Sequence, residues 1–466
     1  MVFFFSIALG LAHIAFAAEE HNPAAPQVLL ATFGPGDEIP AWWGHIAFVV
    51  EEPKRGNSQM YNYGTFDFND PMMLSHFVMG RLKFWLEASP AVPVLELYAQ
   101  EDRHVRLSLF KLTPEEARGM AFALEENALP QNRSYLYHHY HDNCATRIRD
   151  VLDQVVGGQF SAWLKEQPAR MSIREHTRRY SAVNPAMSFL LDFLQNDQLD
   201  KKITAYEEAF LPDELEKRIL QFSVYRGGLQ GPLVSKTWDF FRNKARPDAR
   251  EFPPRPELPC LGIGVGFAFL VGALGHGASQ RRRWARLGLG LFGLLWFVLW
   301  GFLGTTLAAM ELTNHTVTHG NENLFLANPL LLLGCVWAWP FMRKGTQRSM
   351  GRLACLCCCI AAISWLGLGL KLLPVFEQNN WNVLALMLPV HSALALVFVA
   401  LARKKHPHGK AAVPAQEQTT PQAALPSDKM ETPASTTEAP AKKTEAAKKT
   451  EAAKKTSKRR KKRAGH

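Results

Sequence analysis

The chain has 466 residues, with 53 Lys plus Arg against 42 Asp plus Glu and a net charge of +11. From about Arg403 onward there are 17 Lys plus Arg and 6 Asp plus Glu, so the whole excess belongs to a tail and the rest is near neutral. That distribution gives no ground for a nucleic-acid-binding domain, and the length suffices for one or two soluble domains plus further segments.

The start, MVFFFSIALGLAHIAFAAEE, is an apolar run followed by small residues and then acid. Ala15-Phe16-Ala17 fits the small-x-small cleavage pattern of export, although the usual positive n-region is missing. Residues 1–18 are therefore expected to be a signal peptide or an N-terminal anchor. A soluble region follows, over residues 24–250. QVLLATF (27–33), WGHIAFVVEE (43–52), SQMYNYGTFDF (58–68) and VRLSLFKL (105–112) read as strands. Thr113-Pro114-Glu115-Glu116 has the form of a capping box and opens a helix to about Asn127.

HHYHDNCATRIRD (138–150) contains Cys144, the one cysteine of the soluble region. The other six lie in or beside apolar stretches farther on. A thiol without a disulfide partner in an exported domain is a candidate reactive group. Ile148, Val151, Leu152 and Val155 share one helical face, so Cys144 falls in the first turn of a helix capped by Asp142 or Asn143. The free N–H groups and the dipole there favour a thiolate and are expected to lower its pKa. A thiol nucleophile also needs a base. His138, His139 and His141 are near in sequence, but His45, after a glycine on an early strand, is the better candidate. An inert buried thiol and a structural strand histidine are the alternatives.

After Pro256 come five apolar stretches, about 258–275, 287–309, 324–342, 353–373 and 383–402. Each is long enough to cross a hydrocarbon core of about 30 Å. Lys371, near the end of the fourth, can extend its stem to the interface. The loops 276–286 and 342–352 are basic, whereas 310–323 and 374–380 hold no Lys or Arg. The positive-inside rule then puts the basic loops and tail in the cytoplasm and the soluble domain outside the inner membrane, in the periplasm. The tail, residues 403–466, contains KKTEAAKKTEAAKKT and is expected to be disordered and to lie on the anionic inner leaflet.

Gly44-His45 on an early strand, followed about a hundred residues later by Asn143-Cys144 at a helix start, resembles the circularly permuted branch of the NlpC/P60 papain-like superfamily. That branch includes lecithin:retinol acyltransferase. Together with Tyr61-Asn62-Tyr63-Gly64-Thr65-Phe66-Asp67-Phe68, the run Asp142 to Asp150, His319-x-Asn321-x-Asn323-Leu324 and Asn328-Pro329, the pattern looks like the Lnb-type family. The resemblance implies an α+β permuted papain-like periplasmic domain joined to an all-α five-helix membrane domain (258–402). It also implies N-acylation of bacterial lipoproteins. Cys144 would be the nucleophile and His45 the base and then the acid. An acyl chain would pass from a membrane phospholipid through a Cys144 thioester to the α-amino group of a diacylglyceryl-cysteine lipoprotein, with no cofactor. A third group orienting His45 is expected on the next strand, where Asn62 and Tyr63 point to opposite faces and remain alternatives. Asn143 is a candidate supporting group. Arg147, Arg149, His315, His319, Asn321 and Asn323 are candidate lipid or substrate contacts. His315 and His319 have the spacing of a metal pair, but no further ligands accompany them, and no metal is expected. A membrane-anchored periplasmic cysteine hydrolase, with water as acceptor, is the alternative activity.

Overall fold

The computed structural model describes residues 25–52, 56, 58–67 and 70–404. The expected signal segment and the Lys-rich tail beyond Lys404 lie outside the described residues. An N-terminal α+β domain is followed by five helical segments apolar and long enough to cross a membrane.

The strands β1 (Gln27–Phe33), β2 (His45–Glu51) and β3 (Ser58–Thr65) form consecutive antiparallel pairs. A short helix α1 (Met73–Val78) leads to β4 (Lys83–Pro90), then α2 (Ala91–Gln100), β5 (Val105–Phe110), α3 (Pro114–Ala128) and β6 (Ser134–Leu136). The capping box expected at Thr113 and Glu116 opens α3. The helix α4 begins at Cys144 and runs to Val155, followed by α5 (Gln159–Glu166), α6 (Ile173–Ser181), α7 (Pro185–Leu194), α8 (Ala205–Glu208) and α9 (Pro212–Gln221). A small hairpin, β7 (Ser223–Arg226) and β8 (Leu229–Pro232), precedes β9 (Val234–Phe241). The main sheet has the order β6-β4-β3-β2-β1-β5-β9.

Both faces of the sheet are covered, which explains the nearly unbroken apolar runs of β1 and β2. Ile46, Phe48, Val50, Tyr61 and Tyr63 pack with Ile148 and Leu152 of α4 on one face. Ala47, Val49, Met60 and Phe33 pack with Ala91 and Leu95 of α2 on the other.

The membrane-capable segments are α10 (Glu257–Ser279), α11 (Arg283–Met310), residues 322–344 ending in α12 (Leu333–Lys344), α13 (Gln347–Leu370) and α14 (Trp381–Arg403). The third differs from expectation. It opens with two 3-10 turns, at 322–325 and 329–332, and only its last 12 residues are α-helical. Small residues bring the helices close, as is usual without a strong hydrophobic drive in lipid. A Cβ at Gly264 would lie 2.5 Å from the Leu386 carbonyl oxygen, and one at Gly304 2.0 Å from that of Ala327.

The sequence pattern alone did not reveal how the domain seats on these helices. Phe189 and Phe193 of α7 pack into the apolar cluster of the helical bundle, against Trp300. Around them a polar joint satisfies the exposed backbone ends. Asn321 Nδ2 donates to the carbonyls of Phe193, Leu194 and Gln195, and Asn323 Nδ2 to that of Phe193 at 2.8 Å. Asn196 donates to Thr316 and His319 carbonyls, and Asn382 to Asp192 at 2.9 Å. Asp192 in turn accepts from buried Arg178 and Arg174. Lys371 does not extend to the interface as expected. It is buried in an ion pair with Glu322 and also donates to the Gln378 carbonyl.

Candidate active site

Asn143 has extended backbone angles and caps α4, its side-chain oxygen accepting from the N–H groups of Ala145 at 2.9 Å and Thr146 at 3.0 Å. Its Nδ2 donates to the carbonyls of His139 and Phe210. Every polar atom of this buried amide is therefore used, and the start of α4 is held rigidly. Cys144 sits at the first position of the helix.

His45 opens β2, opposite Phe33 in the register. Its ring lies beside the stacked pair Phe33–Tyr98, with centroids 5.9 and 6.2 Å away. Nε2 is 2.5 Å from Asn62 Oδ1. An amide oxygen can only accept, so Nε2 carries the proton and Nδ1 presents its lone pair. The structure thus separates the two candidates for the orienting group. Tyr63 points to the opposite face, buried in the core, where its hydroxyl accepts from Asn127 Nδ2 at 3.0 Å.

Gly64 lets the pair meet. β3 slips register between Tyr63 and Thr65, and Gly64 takes φ +113°, a conformation that side chains disfavour. A Cβ there would lie 3.5 Å from His45 Cε1 and 3.9 Å from Cys144 Cβ. The bare face of this glycine is therefore the common neighbour of both side chains.

The thiol does not behave as its helix position suggested. The N–H groups of Ile46, Ala145 and Cys144 itself favour the thiolate, as does the Arg103 charge, but burial outweighs them and pushes Cys144 up to about 11. Burial likewise brings His45 down to about 4, against the opposing bond from Asn62. At neutral pH the pair rests as thiol and neutral imidazole. An imidazole lone pair on Nδ1 can accept a proton from sulfur, and the same three N–H groups form a polar cradle where an oxyanion can develop.

Arg103 is a member of this site that the sequence pattern did not signal. It is 5 % exposed, donates through Nε to the Gly34 carbonyl at 2.9 Å, and lies 4.5 Å over the Tyr98 ring. Its Nη2 is buried without a hydrogen-bond partner. Gly64 carried a readable signal, a glycine inside a strand pattern.

The remaining candidates separate from this centre. Arg147 is bound by both carboxylate oxygens of Asp142, at 2.6 and 2.7 Å, and stacks over Tyr135. Arg149 is buried, paired with Asp150, bonded to the Tyr206 carbonyl and stacked on the Tyr206 ring at 3.7 Å. Both guanidiniums thus have carboxylate and tyrosine partners within the domain, and the Arg147 side chain keeps 37 % of its surface exposed. Asn321 and Asn323 are both buried in the joint with α7. His319 donates to carbonyls at the end of α11, and His315 donates to the Phe77 carbonyl. His138 shapes the turn by accepting from the N–H groups of Tyr140 and His141, and His139 is buried against Trp43. Among the described residues no three His, Cys, Asp or Glu side chains are gathered as metal ligands.

Fold and site together define a membrane-associated α+β protein with a Cys–His–Asn arrangement between an early strand and a helix start. Residues 15–179 match the family described as the Lnb N-terminal periplasmic domain. Five membrane-capable helices following that domain make it a multi-pass membrane protein. No curated protein and no solved structure matches the chain.

Proposed function

We propose that this protein is a lipoprotein N-acyltransferase working through a Cys144 thioester. The observation that carries the reading is Cys144 at the capped start of α4, sharing the bare face of Gly64 with a His45 whose Nε2 is held by Asn62. The seating of this domain on a membrane-capable bundle supports a lipid donor. The match of residues 15–179 to the Lnb N-terminal periplasmic domain supports a role in lipoprotein biogenesis.

In the first half-reaction His45 Nδ1 takes the thiol proton as sulfur attacks an ester carbonyl of a phospholipid. The tetrahedral oxyanion lies against the N–H groups near the sulfur. The C–O bond then breaks, and His45 returns the proton to the departing alcohol, leaving a lysophospholipid and an S-acyl Cys144. In the second, the α-amino group of a diacylated lipoprotein attacks the thioester and its proton passes through His45 to the sulfur. An amide forms and the thiol is restored. Two transfers through one sulfur give ping-pong kinetics.

Purified protein mixed with phospholipid is expected to gain one acyl mass, released by hydroxylamine and missing in Cys144→Ser. A diacylated lipopeptide should then take up that acyl group. Accumulation of free fatty acid alone, with the lipopeptide unchanged, would replace this reading with the hydrolase.

A further inference from the structure

The segment between β3 and β4 has an unusual surface. α1 and its flanks expose Met72, Leu74, Phe77 and Val78, with Leu74 at 69 %. From Pro71 to Lys83 there is no Asp or Glu, and the exposed Arg81 and Lys83 close the segment. Bare apolar side chains next to basic ones suit the boundary between acyl chains and phosphate headgroups, and they are costly in water.

The neighbours of α1 say which surface it meets. The N–H of Asn314 donates to the Met79 carbonyl at 3.0 Å, and His315 Nε2 donates to the Phe77 carbonyl at 2.8 Å. Gly80 takes φ +65°, and a Cβ there would press to 3.0 Å on the Asn314 backbone. Asn314 stands four residues beyond the end of α11, a membrane-capable helix, and Leu312 between them is also exposed. α1 is thus tied to the rim of the helical bundle. Inward from α1, Phe84 stacks on Tyr137 at 4.1 Å and packs against Phe66. Phe66, Leu82, Tyr137 and Cys144 lie on the margin of one apolar cluster.

We propose that α1 lies in the adjoining leaflet of the membrane and that the acyl chain of the donor phospholipid passes beneath it, along Phe66, Leu82, Phe84 and Tyr137, to Cys144. The entrance function rests on the acyltransferase reading; contact of α1 with lipid does not. Arg81 and Lys83 then face the lipid phosphate.

Two measurements on the full chain in nanodiscs test this. With p-benzoylphenylalanine in place of Phe77, illumination is expected to yield a covalent phospholipid adduct by mass spectrometry. No adduct would overturn the membrane contact. For the entrance, the variant Leu74→Asp/Phe77→Asp is compared with the unchanged chain on two donors. One is the ester phospholipid of the disc. The other is monomeric dihexanoylphosphatidylethanolamine added to discs of non-cleavable diether lipid. The variant should form acyl-Cys144 at least tenfold more slowly with the disc lipid and within twofold of normal with the monomer. Equal loss on both donors, or no loss on either, would overturn the entrance. If the unchanged chain is acylated by neither donor, the acyltransferase reading fails instead, while the adduct at position 77 still reports on lipid contact.

Discussion

A thiol at about 11 beside an imidazole at about 4 is a neutral pair at rest. Papain-like chemistry is often pictured as a preformed thiolate–imidazolium pair, which needs the opposite shifts. Here both groups lose water on folding, and loss of water penalises whichever form is charged. In the proposed mechanism, proton transfer therefore belongs to the moment of attack, when the substrate carbonyl would spread the charge over the N–H groups around the sulfur. A pH prediction follows with a definite sign. His45 acts as a base only when neutral, and its folded pKa lies below the ordinary value of 6.5. The rate of Cys144 acylation should stay level as pH falls from 7 to about 5 and decline only with a midpoint near 4, as read by quenched-flow mass spectrometry. A midpoint near 6.5 would mean that the histidine is solvated in the working enzyme.

Strand alternation decides the third member of the site at the scale of the element. Successive residues of β3 face opposite sides of the sheet, so Asn62 and Tyr63 cannot both reach His45. Asn62 shares the face of His45, and Tyr63 joins the core around α4. Asn62→Ala removes the acceptor that holds the tautomer and should slow acylation on the order of 10²-fold, within the usual worth of an oriented base. Tyr63→Phe should leave acylation within about twofold and cost roughly 1 kcal/mol of stability through the lost Asn127 bond. Acylation rate and thermal unfolding of the two variants separate these roles, and the reverse pattern would return Tyr63 to the site. The start of α4 was readable in advance because N-capping is local chemistry. The tilt of the pKa values was not, because desolvation depends on everything packed around the helix.

The whole molecule depends on the joint between α7 and the bundle. Asp192 is buried between Arg174 and Arg178 and accepts from Asn382 of α14. Removing this one carboxylate takes away the shared acceptor of Arg174, Arg178 and Asn382; Arg174 keeps Asp200 and Arg178 keeps Glu257, so the cost is that of lost buried charge-assisted hydrogen bonds, about 1–3 kcal/mol. Asp192→Ala should therefore lower the unfolding midpoint and expose the 182–204 region to protease, with Cys144 still present and intact. Unchanged stability would show that Phe189 and Phe193 hold the joint alone. A firm joint matters because it keeps Cys144 at a set height above the bundle, and with it α1 against the bundle rim.

Hydrophobic period, turn chemistry and loop charge act over a few residues. They were sufficient to place β1, β2, β3, α3 and the start of α4, and to separate the soluble region from the apolar one. The third apolar stretch exceeded that reach. Its composition reads as a continuous span, yet residues 321–332 break into turns because their side chains and backbone serve the joint with α7. Arg147 and Arg149 have local carboxylate partners in Asp142 and Asp150, but the Tyr135 and Tyr206 rings they stack on come from farther away in the chain. Arg103 gave no local sign at all. The sequence by itself determined which segments form helices and strands and which residues can carry thiol chemistry, because those properties are written in near neighbours. Only the tertiary structure decided that Asn62 holds His45, that the thiol rests protonated, and that α1 is tied to the rim of the helical bundle. Each of these depends on burial and on contacts between residues far apart in the chain.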